Sequence, residues 1–166
     1  MNAVSTVPVF VGIGSNIEPR VHIPQALQLL EQRFGGLRVS QVYECPAVGF
    51  EGAAFHNLVI GFDCTLAPLE VVHALRAIEQ QCGRSRNEKM RSRTLDLDLL
   101  LYGDQVLDAA DLRVPRSDIT RYAFVLKPLL ELLPDGRHPL SGRRYADLWA
   151  EFDASDQPLQ VVDLGG

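Results

Sequence analysis

Asp96 and Asp98 stand two residues apart inside the apolar run Leu95-Asp96-Leu97-Asp98-Leu99-Leu100-Leu101-Tyr102. Side chains two apart on a strand share a face, so the two acids point one way while Leu95, Leu97 and Leu99 point into a core. At a Cα spacing of about 6.6 Å, two carboxylates repel by roughly 2 to 3 kcal/mol at an effective dielectric near 20. A cation removes that cost, and oxygen-only donors favour a hard ion such as Mg²⁺, which keeps waters and shares its remaining positions with substrate phosphates. The plainer alternative is an edge strand whose charged face deters strand addition. What precedes the strand favours the first reading: Arg84, Arg86, Lys89, Arg91 and Arg93 put five cations into ten residues. Guanidinium groups beside metal-holding acids are what a polyphosphate requires.

The rest of the chain limits the options. Its 166 residues, 46% hydrophobic and 22% charged, fit one domain with one core, spanning 1–166, with the tail 153–166 expected to be loosely held. A net charge of −5 disfavours a general nucleic-acid surface, since phosphate neutralisation dominates that kind of affinity. No apolar run is long enough to span a bilayer and Met1–Thr6 lacks a signal-peptide pattern, so a cytoplasmic protein is expected. Cys45, Cys64 and Cys82 form no C-x-x-C pair and read as reduced, buried thiols. The four histidines, His22, His56, His73 and His138, are too scattered to gather a transition metal.

The elements that must position the acids follow from periodicity. Val7–Ile13 reads as a strand broken by Gly14-Ser15-Asn16, and Ile23–Phe34 as a helix ended by Gly35-Gly36. A second strand covers Leu37–Tyr43, a loop follows over Glu44–Ala54, and a third strand runs Phe55–Thr65. Pro68 opens a second helix with apolar residues every three or four positions, which Gly83 ends. The acid-bearing strand comes fourth, with a short return at Gln105–Leu107. Beyond Pro115 the pattern predicts two short helices over Thr120–Leu133, divided at Pro128, and a last helix over Tyr145–Phe152 with Trp149 inward. The order βαββαβ defines an α+β ferredoxin-like sandwich, an antiparallel sheet with both helices on one face and a C-terminal helical extension. Gly12-Ile13-Gly14 is read as a strand-to-helix turn, since no dinucleotide fingerprint continues from it and no Walker motif occurs elsewhere.

Gly14-Ser15-Asn16, Tyr43 with Pro46, Phe55-His56-Asn57, Ile78-Glu79 to Gly83-Arg84-Ser85-Arg86, Arg93 to Asp98, and Val114-Pro115 leading to Phe124-Val125-Leu126 recur in order along the chain. This set resembles the 6-hydroxymethyl-7,8-dihydropterin pyrophosphokinase family over roughly residues 9–134. The resemblance implies transfer of pyrophosphate from ATP to a pterin alcohol in folate biosynthesis, with AMP leaving. It implies two Mg²⁺ ions on Asp96 and Asp98, and Arg84 and Arg93 as catalytic groups on the phosphates. ATP would be held by Glu79, Arg84, Arg86, Arg93, Arg116 and Arg121. The pterin would meet Asn57 at its edge, Phe55 and Phe124 at its faces, and the backbone at Cys45 and Val48. Only small-molecule partners are implied, and a monomer is expected.

The chain departs from the family pattern in four places. Arg116 replaces a histidine, Tyr122 replaces an arginine, Arg91-Ser92 replaces Gly-Pro, and Cys45 replaces a threonine. The alternative those departures motivate is a divergent paralogue with altered preference or weak transfer. An RNA-binding module is a poorer fit, because the chain is acidic and its third strand carries no aromatic-rich RNA-binding octet.

Overall fold

A computed structural model describes residues 5–45, 54–83 and 95–163. Strand β1 (Val7–Ser15) leads to helix α1 (Pro19–Phe34), followed by β2 (Arg38–Val39), β3 (Val42–Cys45) and β4 (Phe55–Cys64). Helix α2 (Pro68–Gln81) precedes the acid-bearing strand β5 (Asp96–Tyr102), and β6 (Leu107–Ala109) pairs with β7 (Leu112–Val114) as a small separate ribbon. Helices α3 (Asp118–Arg121), α4 (Ala123–Leu132) and α5 (Tyr145–Glu151) and strand β8 (Gln160–Val162) complete the chain. The main sheet has the order β5-β1-β4-β3-β8, with β2 also on β4 and neighbouring strands antiparallel. Among the described residues no helix is long and apolar enough to cross a membrane.

Alternation along the central strands divides their side chains between two apolar clusters. Val9, Val11, Ile13, Leu58, Ile60, Phe62, Leu97 and Leu99 pack with Ile23, Ala26 and Leu30 of α1 and Val71, Leu75 and Ile78 of α2. Phe10, Val59, Leu100 and Leu101 pack on the opposite face with Ile119 of α3, Val125, Leu126 and Leu129 of α4, and Tyr145 of α5. The C-terminal helices therefore cover part of the face that α1 and α2 leave free. Each fully buried leucine, isoleucine or phenylalanine contributes roughly 1.5–3 kcal/mol relative to exposure. The consecutive Leu100 and Leu101 reach the same cluster because the β1–β5 register shifts between Phe10 and Val11, leaving β5 with one extra residue.

Several boundaries differ from the periodicity reading. Strand β1 continues through Gly14 and Ser15, because both residues are paired with β4. Helix α1 begins one turn early, at Pro19, whose fixed φ suits a first helical position. The single strand expected over 37–43 is split at Ser40-Gln41. There the Ser40 Oγ accepts the Val59 N–H at 2.9 Å, so a side chain fills the break in the ladder. Pro128 sits inside α4, and the division between helices falls at Tyr122, which is extended. The return expected at Gln105–Leu107 forms instead at Leu107–Ala109, which pairs with β7 and leaves β5 at the end of the main sheet. Tyr145, 1% exposed, anchors α5 where Trp149 was expected, and Trp149 is only partly buried.

The tail is tied down as far as Asp163, contrary to its loose composition. Strand β8 pairs with the otherwise open edge of β3, Gln157 bonds both Ala123 N and Arg121 O, and Arg20 donates to Asp163 O at 2.9 Å. A further junction ties α4 to β3: Glu131 accepts from the Gln41 N–H and from the Tyr43 hydroxyl.

Gly61 faces the second cluster, and a Cβ there would stand 2.7 Å from Phe10 Cε1. Gly61→Ala is expected to destabilise the fold by about 1–3 kcal/mol, the usual cost of overpacking, as read from urea unfolding midpoints.

Candidate active site

The register of β1 builds the site. Gly14 lies opposite Asp96 on one side and Asn57 on the other, and Gly12 lies opposite Asp98 and Val59. Directly opposed residues in antiparallel pairs present side chains to the same face. Asp96, Asp98 and Asn57 therefore share one face, with Gly12 and Gly14 as a floor without side chains between them. At 4.7–4.9 Å per strand, about 10 Å separates the Asp96 and Asn57 backbones. A Cβ on Gly14 would lie 2.8 Å from Asn57 Oδ1 and 3.9 Å from the Phe55 ring. Of the two glycines, Gly14, read from sequence as a strand break, is thus a strand residue over which the Asn57 amide and the Phe55 ring lean, and Gly12 lies under Leu100. Their spacing of two was the available signal, since it strips one strand face of side chains.

Asn57 is 6% exposed, and its Nδ2 donates to Cys45 Sγ at 2.9 Å. That bond sets the amide's orientation, with the carbonyl oxygen above Gly14. Burial is the main reason the Cys45 thiol rises from 9.0 to about 11; the Asn57 hydrogen bond opposes the shift and Glu44 adds to it. His56, between Phe55 and Asn57, points to the other face and pairs with Glu44 at 3.3 Å. Phe124, at the start of α4, stacks on Tyr122 with ring centroids 5.0 Å apart.

At the acidic end, Asp98 Oδ1 lies 3.8 Å from Arg116 Nη2, and Arg116 Nε lies 3.3 Å from Asp118 Oδ1. The Arg116 backbone N–H donates to Leu100 O at 3.0 Å, which holds this arginine beside β5. Burial pushes the Asp98 carboxyl above the usual carboxylate range. Arg116 and Arg76 pull it down, while Asp118 and Glu79 push it up. Arg121 lies over the Tyr122 ring, its guanidinium carbon 5.9 Å from the centroid. Glu79 is 2% exposed and bonds the backbone of β5, accepting the Leu97 N–H at 2.7 Å, and it pairs with Arg76. Arg76 was not singled out from sequence, where it is one more polar residue on an amphipathic helix. Arg84, Arg86, Arg93 and Val48 lie outside the described residues.

The chain matches the family model described as 7,8-dihydro-6-hydroxymethylpterin-pyrophosphokinase (HPPK) over residues 10–134. A Pseudomonas aeruginosa protein named 2-amino-4-hydroxy-6-hydroxymethyldihydropteridine pyrophosphokinase is 42% identical over 146 residues, covering 86% of this chain and 90% of the relative. An Aquifex aeolicus protein of the same name is 35% identical over 134 residues, covering 80% and 84%. Among solved structures, the wild-type HPPK-DHPS of Plasmodium falciparum superposes with a TM-score of 0.71 at 13% identity, covering 91% of this chain and 45% of that one. The likeness to that structure is one of fold, an antiparallel sheet with helices, and the chain spans less than half its length. By the family match and these identities, the chain belongs to the hydroxymethyldihydropterin pyrophosphokinase family.

The Cys45 thiol yields a test of this end of the site. With a folded value of about 11 against 9.0, the folded protein keeps a proton that the unfolded chain loses between those values. That contribution to stability is present below pH 9 and is lost as pH rises toward 11. Native protein at pH 8 is expected to resist alkylation by iodoacetamide at Cys45, and urea-unfolded protein to react fully, as read by peptide mass spectrometry.

Proposed function

We propose that this chain transfers the pyrophosphoryl group of ATP to the hydroxyl of 6-hydroxymethyl-7,8-dihydropterin in folate biosynthesis. The observation that carries the reading is the pairing of Asp96, Gly14 and Asn57 across β5, β1 and β4, which sets a carboxylate pair and an amide on one face. Family membership supplies the substrates. The strand order β5-β1-β4-β3, antiparallel throughout and with α1 and α2 on one face, supports a ferredoxin-like frame folded as one unit. Identity of 42% to a relative of that name gives no support to the divergent, weakly transferring alternative.

Asn57 carries both a donor and an acceptor on one amide, the combination that reads a pterin edge, and Phe55 and Phe124 offer flat apolar faces for its ring. Cys45, held by Asn57 and paired with Phe55, adjoins these groups. The donor set also fits Mg²⁺. Asp96 and Asp98 offer oxygens alone, and among the described residues no cluster of three His, Cys, Asp or Glu completes a metal site. Such a half-set suits an ion that keeps waters and shares phosphate oxygens. Two Mg²⁺ ions on Asp96 and Asp98 would neutralise phosphate charge and align the attacking and leaving oxygens.

The chain's own groups divide the remaining work. Arg116 supplies a fixed cation beside Asp98, and Arg84, Arg86, Arg93 and Arg121 supply further cations for ATP. In the reaction the pterin oxygen bonds to the β-phosphorus and the bond from the β-phosphorus to the α–β bridging oxygen breaks. AMP departs with that oxygen, and the hydroxyl proton is lost. The missing side chain at Gly14 makes room for the Asn57 amide that would meet the pterin edge.

Asp98→Asn is expected to lower AMP formation from ATP and the pterin by at least about a hundredfold while leaving circular dichroism unchanged. EDTA is expected to abolish turnover and excess Mg²⁺ to restore it; wild-type turnover in either arm overturns the metal role. Gly14→Ala is expected to push Asn57 aside and weaken pterin binding about tenfold or more, the scale of a lost buried hydrogen bond. Isothermal titration with the pterin measures this.

A further inference from the structure

Strand β5 ends the sheet, with β1 as its partner on one side. In an antiparallel pair, successive residues alternate between directing N–H groups toward the partner and away from it. Leu97 directs its N–H away from β1, where Glu79 Oε2 accepts it at 2.7 Å. By the same alternation, Asp96 and Asp98 turn their N–H groups toward Gly14 and Gly12. The three residues Asp96-Leu97-Asp98 are thus held from both edges of the strand, by β1 on one and by a side chain of α2 on the other.

Packing alone does not account for the burial of Glu79. It is 2% exposed, and a carboxylate so enclosed is costly unless both oxygens are paired. Arg76, one turn earlier on α2, pairs with Oε1. The pair sets a cation and an anion side by side beside β5, so their charges offset. The arrangement anchors the strand between the two acids without adding a bare anion to them.

We propose that Glu79, neutralised by Arg76, is a positioning residue: a buried strut that holds β5 so that Asp96 and Asp98 face a metal ion at fixed spacing. It acts through the strand, its oxygens engaged by Leu97 and Arg76, in place of the direct ATP contact that the resemblance implies for it. The inference rests on the assignment of Asp96 and Asp98 as metal-holding acids under Proposed function.

The test uses Mn²⁺ as the probe, titrated by electron paramagnetic resonance in the presence of a nonhydrolysable ATP analogue, together with hydrogen exchange at the Leu97 amide. Glu79→Leu is expected to speed Leu97 exchange and to weaken Mn²⁺ binding about tenfold, the lower end of what loss of an orienting group costs a metal site. Affinity for the analogue in EDTA is expected to stay at the wild-type value. Glu79→Gln keeps an oxygen acceptor for Leu97 and is expected to retain both slow exchange and Mn²⁺ affinity. Wild-type Mn²⁺ affinity in Glu79→Leu overturns the strut, as does a loss of metal-free analogue binding in either variant, which would mark a direct contact. Should Glu79→Leu fail to fold, Glu79→Gln decides, since a tenfold loss of Mn²⁺ affinity there would show that charge rather than the bond to Leu97 matters. These readouts are separate from turnover: wild-type protein that forms no AMP counts against the proposed reaction alone, whereas wild-type protein that binds no Mn²⁺ overturns both.

Discussion

The antiparallel registration of β1 between β5 and β4 is the constraint from which the site follows. A slip of one residue in the β1–β5 ladder would exchange the faces of β5, turning Asp96 and Asp98 into the cluster now held by Leu97 and Leu99. Apolar packing against α1 and α2 opposes such a slip, because every displaced leucine or isoleucine would forfeit its burial. The same registration sets Gly12 and Gly14 between the acids and Asn57. The groups this face presents are thus held in place by the apolar face behind it.

The second face is shared between structure and chemistry. Helices α3, α4 and α5 pack over Phe10, Val59, Leu100 and Leu101, while the glycines, the acids and Asn57 occupy the adjoining part. The extra residue in β5 marks the boundary: before it the strand offers aspartates to this face, and after it consecutive leucines. Three polar side chains buried or half-buried along the frame join its elements. Ser40 fills the gap in the β4 ladder, Glu131 joins Tyr43 to Gln41, and Glu79 takes the outward amide of β5. Each joins elements distant in sequence, and each leaves a costly unsatisfied group if broken.

Much of this was legible beforehand where one local rule governs. Alternation assigned Asp96 and Asp98 to one face and Leu95, Leu97 and Leu99 to the core, and the helical period found most of α1 and α2. The readings that failed involve a choice between local and distant partners. Gly12 and Gly14 carry a turn-former's composition yet lie within a strand, because β4 and β5 bond them on both sides. The tail looked loose because its own residues bury little, yet Gln160–Val162 pair with the edge of β3. Arg76 was an ordinary helix residue, and Glu79 one that the resemblance assigned to ATP, until α2 was laid against β5. The basic segment 84–94, legible as a charge cluster, lies outside the described residues.

By itself the sequence determined what each short stretch offers: two acids on one side of a strand, an amide beside an aromatic ring, glycines spaced by two, and the family those residues mark. These follow from backbone sterics and side-chain chemistry within a few residues. Tertiary structure alone decided that the amide stands across a glycine from the acids, that Arg116 reaches Asp98, and that Glu79 grips the strand between the carboxylates. The reason is that strand partners and helix docking are selected by burial summed over the whole sheet, a quantity no local window contains.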